Sequence, residues 1–87
     1  MGKTFKEIAE EMVELQAKKN QDYGNAFERS MDKFGPVVSL IRLGDKMNRL
    51  ETLIGKGERC VTDESVEDTL IDLAAYALMT VEWLHKA

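Results

Sequence analysis

Eighty-seven residues supply one small core, and a chain this short buries only about 60–65% of its unfolded surface, so association between copies would help it. With 44% apolar and 32% charged residues it is neither disordered nor membrane-spanning. A net charge of −4 and a pI near 5.0 argue against general nucleic-acid binding, which needs a basic face.

One proline and six glycines leave few breaks, and three long segments have helical periodicity. The first helix is expected from about Thr4 to Lys19, with Phe5, Ile8, Met12 and Leu15 on its apolar side and Glu7, Glu10, Glu11 and Glu14 on its acidic side. Asn20-Gln21-Asp22-Tyr23-Gly24-Asn25 reads as a turn that breaks it. A short helix follows from Ala26 to Lys33 and ends at Phe34-Gly35. Pro36 suits the first turn of a third helix that runs to about Ile54. Residues 55–59 form a turn rich in glycine and charge. Thr62, Asp63 or Ser65 caps the last helix, which runs to about His85 with Glu64, Glu67 and Asp68 near its positive end. No stretch alternates long enough to be a strand. The expected fold is all-α: one domain over residues 1–87, three long helices and a short one, with an antiparallel hairpin whose bundle is completed by oligomerisation.

Asp72 is out of place within the most apolar run, Leu70 to Met79, because burying an unpaired charge costs several kcal/mol. Arg42, Asp45 and Arg49 interrupt the preceding apolar helix in the same way. In an antiparallel hairpin the two rows form a seam that sets Arg49 against Asp68, Asp45 against Asp72 and Arg42 against Tyr76, with Lys46 beside them. A salt-bridge network that fixes helix register explains most of this pattern. Asp45 facing Asp72 fits it less well, because two carboxylates repel unless an arginine, a proton or a cation lies between them. Mg²⁺ on Asp45, Asp68 and Asp72 would meet that need, and the arginines would grip phosphate oxygens bidentately. Acids and arginines in one cleft point to a nucleotide or another phosphorylated ligand.

Other residues take structural readings. The acids of the first helix form a solvated face, although Glu7 with Glu10 and Glu11 with Glu14 have the ExxE spacing of some metal sites. His85 is expected to be exposed, and Trp83 and the methionines to serve packing or subunit contact. Cys60, the lone cysteine, forms no disulfide within the chain and fits a reducing cytoplasm. The N-terminal seven residues lack an apolar signal core, and no run reaches the 18 or so apolar residues of a membrane span. Tyr23, beside Asp22 in the first turn, has the chemistry to stack on a base. Ala74, Ala75 and Ala77 let a further helix approach the last one, as in a homodimer.

Three blocks carry a family resemblance: Lys19 to Phe27; Arg42 with Asp45, Lys46, Arg49 and Leu50; and Asp63-Glu64-Ser65 through Asp68, Asp72 and Tyr76. In these the chain resembles the phage and bacterial family called nucleotide modification associated domain 1. That resemblance implies a nucleotide ligand without fixing a reaction, and the seam and the first turn offer Asp22, Tyr23, Arg42, Lys46, Arg49, Asp68, Asp72 and Tyr76 to hold it. A looser similarity is to all-α MazG-like nucleoside-triphosphate pyrophosphatases, which hold Mg²⁺ on ExxE and ExxD. Here Ser65 and Thr69 occupy the positions three before Asp68 and Asp72, and the third helix has no ExxE.

Three functions follow in order of expectation. The first is a small nucleotide-binding protein, such as a phage factor that captures a host signalling nucleotide as an anti-defence device in the host cytoplasm. The second is an Mg²⁺-dependent nucleotide pyrophosphatase using Asp45, Asp68 and Asp72. The third is an interaction protein whose stripes only set register.

Overall fold

The computed structural model describes residues 2–23, 25–55 and 63–86. Helix α1 spans Phe5–Tyr23, α2 Ala26–Phe34, α3 Val37–Gly55 and α4 Asp63–Lys86, and no strand occurs among the described residues. The all-α expectation holds. The expected turn after residue 55, the Thr62 cap and Cys60 lie outside the described residues.

Helix α1 starts with a reciprocal cap. The Glu7 backbone N–H donates to Thr4 Oγ1 at 3.2 Å, and the Thr4 N–H donates to Glu7 Oε1 at 3.3 Å. This is the Thr-x-x-Glu capping box, which satisfies two donors left free by the first turn.

At its other end α1 continues one turn past the expected Lys19. Asn20 to Tyr23 remain helical, because their low helix propensity costs only tenths of a kcal/mol each and does not by itself stop a helix. Beyond it Asn25 stands at φ 56° and ψ 42°, the left-handed conformation that asparagine tolerates better than most side chains. Its N–H reaches back to the Asn20 carbonyl at 3.2 Å, and its own carbonyl accepts from Arg29 at 3.0 Å to start α2. One residue therefore bonds back to α1 and opens α2.

Gly35 makes the corresponding corner between α2 and α3. Its N–H closes on the Met31 carbonyl at 2.8 Å, and its φ of 80° with ψ of −175° lies in a region essentially confined to glycine. A Cβ added there would touch nothing within 4 Å, so a side chain is opposed by backbone strain alone. Gly35→Ala is expected to lower stability by about 1–3 kcal/mol, read as a drop in the urea midpoint with an unchanged slope.

Helices α3 and α4 form the expected antiparallel hairpin, with α2 laid on α3 and α1 on α4. Among the described residues the core is thin: Met12 from α1, Met31 from α2, Val38 and Leu50 from α3, and Ala75 from α4. Polar pins hold the hairpin register. Thr80 Oγ1 donates to the Tyr76 carbonyl one turn back at 2.7 Å, so its 2.6 Å contact with Ser39 has the serine hydroxyl as donor. Thr69 does the same with the Ser65 carbonyl and accepts from Arg49 Nε at 3.1 Å. Trp83 Nε1 donates to Asp32 at 2.9 Å and ties α4 to α2.

Candidate functional site

The residues that converge on the hairpin seam differ from the expected pairs by about one position. Asp72, half-buried on α4, meets Lys46 of α3 at 3.3 Å and Lys19 of α1 at 3.7 Å. Asp45, the expected neighbour of Asp72, is exposed. Adjacent helical positions point about 100° apart, and the lysine takes the inward direction. That removes the repulsion of two facing carboxylates, since a cation on the chain itself occupies the place where one was needed.

Arg49 likewise bonds the Thr69 hydroxyl one position beyond the expected Asp68. Asp68 instead borders a groove between α1 and α4 of about 650 Å³, with Ile8, Glu11, Met12, Leu15 and Ile71. Lys3, at the edge of this groove, donates to Glu11 at 2.8 Å. That hydrogen bond and the carboxylate charge raise its pKa above the ordinary lysine value. Tyr76 was expected to face Arg42, but its ring packs edge-on against Phe27 of α2, with centroids 5.1 Å apart. Arg42 is exposed on α3. Asp22 is exposed near the end of α1, and the Tyr23 side chain lies outside what is described.

Asp45, Lys46 and Arg49 share one depression on the α3 flank with Asn48, Thr52 and Leu53, of about 470 Å³. Its cations sit one turn apart on a rigid helix, and the inner one is already steered by Asp72. A second cavity, between the end of α1, α2 and α4, is bordered by Asn20, Phe27 and Trp83 and has only about 20 Å³, room for a single water.

Among the described residues no group of three or more His, Cys, Asp or Glu side chains is placed to hold a metal ion. Asp45, Asp68 and Asp72 therefore do not form a ligand set within one chain: one is exposed on α3, one borders the α1–α4 groove, and one is held by two ammonium groups. Of the remaining readings, His85 is exposed, and Trp83 is partly buried against α2. Among the described residues no helix is long and apolar enough to cross a membrane.

Lys19, Thr69 and the Ser39–Thr80 pair had no place in the expected site. A Thr or Ser inside an apolar helical run was the available signal, because a buried hydroxyl needs a partner. Lys19 heads the first block of the family resemblance, but hairpin register says nothing of where α1 lies.

The model of the family described as nucleotide modification associated domain 1 matches residues 19–82, from the lysine that reaches Asp72 nearly to the end of α4. No curated protein and no solved structure matches the chain.

Proposed function

The chain belongs to the nucleotide modification associated domain 1 family, and from that premise we propose that it binds a nucleotide through its phosphates at the Lys19–Lys46–Arg49 edge of the α3–α4 seam. The observation that carries this reading is the convergence of two lysines from different helices on the single carboxylate of Asp72. Two ammonium charges on one carboxylate leave a local surplus of one positive charge; Arg49 on the next turn adds a cation that Asp45, in the same depression, offsets. In a chain of net charge −4 such a spot attracts an anion locally without making the surface generally basic.

Lysine supplies point charge, and Arg49, held through Nε by Thr69, carries the planar fork of donors that suits an oxyanion. Arg42, two turns before Arg49, extends the cationic row along α3 for a second phosphate. Tyr76 and Phe27 give an aromatic edge beside the seam, suited to a base. The role is binding, in the cytoplasm, and capture of a signalling nucleotide is its sharpest form. No hydrolytic step is assigned, because the carboxylates it would use are not gathered.

A thermal-shift screen of mono-, di-, tri- and cyclic nucleotides, followed by calorimetric titration of the best, tests the proposal. The expected result is saturable stabilisation, with the nucleotide recovered intact. Lys46→Met is expected to weaken binding about 10- to 100-fold, the effect of losing one charge-assisted contact. A flat screen at millimolar nucleotide, or unaltered affinity in a folded Lys46→Met protein, would refute it.

A further inference from the structure

The side of the α3–α4 hairpin that α1 and α2 leave bare carries two apolar rows in phase. On α3, Val37, Leu40, Gly44, Met47 and Ile54 follow the three-and-four spacing of a packing seam, broken only by Glu51. On α4, Leu70, Ala74, Ala77, Val81 and Leu84 follow the same spacing with no polar interruption. Every large side chain in the two rows is exposed, Leu40 by 71% and Leu84 by 56%. The hairpin register fixed by Lys46–Asp72 and Arg49–Thr69 sets the rows level with each other, Gly44 with Ala74 and Met47 with Leu70, and a Cβ at Gly44 would meet only open space. Helical phase turns both to the same side. Val38 and Ala75, each one position from a row, are buried on the side that α1 and α2 cover.

We infer that this face is the interface with a second copy of the same chain, two hairpins pairing about a two-fold axis into a four-helix bundle. The surface area supports a second copy. The chain exposes 6828 Å², whereas a compact monomer of 9.9 kDa exposes about 5,200 Å². The excess of about 1,600 Å², spread over the whole chain, is more than the roughly 800 Å² that each partner buries in a standard stable interface. The radius of gyration, 14.3 Å, also exceeds the roughly 12 Å of a closed chain of this length.

A two-fold pairing suits the face because one self-complementary patch serves both copies. The small residues Gly44, Ala74 and Ala77 lie mid-row, where they let the partner's backbone come close, and the bulky residues flank them. The cationic row of α3 lies on the other side of the hairpin, so pairing leaves each phosphate edge open. The inference stands without the nucleotide-binding proposal.

Sedimentation equilibrium of the full chain reads it directly, and the expected mass is that of two chains. A folded monomer, or any assembly other than two copies, overturns it. Leu40→Lys with Val81→Glu is expected to weaken the dimer about thirtyfold or more, whereas Arg42→Glu on the opposite side leaves the mass unchanged. A folded double variant that remains a dimer also overturns it. Should the double variant fail to fold, carbene footprinting of the unmodified chain at high and low concentration decides. Protection confined to the α3 and α4 rows supports the interface, and its absence there overturns it.

Discussion

Met31→Ala is expected to lower the unfolding free energy by about 2–5 kcal/mol, the range for emptying a buried methionine site. Met31 has no exposed surface, the only large side chain among the described residues so completely enclosed. It projects from the inner face of α2, a helix of nine residues too short to persist alone. The core around it is thin, so little lies close enough to collapse into the gap. In a protein of this size the loss is a fall in melting temperature of roughly 10–30 °C, followed by far-ultraviolet circular dichroism. Lys33→Ala, on the exposed face of the same helix, is the matched control and should stay within about 0.5 kcal/mol of the parent. Equal effects from the two substitutions would show that α2 is not held by Met31.

Asp72→Asn is expected to move stability and ligand affinity in opposite directions. The amide keeps the shape of the carboxylate but leaves Lys19 and Lys46 facing each other without a counter-charge. Asp72 retains 30% of its side-chain exposure and Lys46 27%, so solvent screens part of the repulsion, and the cost is about 1–2 kcal/mol. The same change removes the anion with which a phosphate must compete. Nucleotide affinity should therefore rise by a few-fold, in line with about 1 kcal/mol between screened charges at this range. Chemical denaturation and calorimetric titration of one preparation measure both. A folded Asp72→Asn protein that no longer binds nucleotide would mean that the carboxylate touches the ligand, directly or through a cation.

How much of this was legible in the sequence depended on whether one helix or several had to be known. The helices and the hairpin followed from periodicity and from Gly35-Pro36. The end of α1 did not, because Asn20 to Asp22 favour turns only weakly and the helix runs on through them to Tyr23. The polar seam was visible as a pattern, but its register slipped by about one residue. Spacing places a row on a helix only to within the width of a side chain, which is enough to exchange Asp45 for Lys46. The assignment of Asp72 as a misplaced carboxylate needing a partner was sound in its physics. Its second partner, Lys19, came from a helix whose docking position no hairpin rule supplies. Ala75 shows the same limit: grouped with Ala74 and Ala77 by sequence, it is buried within the chain at 2% exposure.

Among the described residues, helix α1 is fastened to α4 chiefly by Met12, its one buried apolar side chain, and by the Lys19–Asp72 pair. Its attachment combines one apolar plug with one screened charge contact, so it belongs to the part of the structure that opens at least cost. The lysine that latches it is also one of the groups proposed to meet phosphate. A bound anion bridging Lys19 and Lys46 would take over the latch from Asp72, and occupancy would then be felt as a slowing of that local opening rather than as a change of shape.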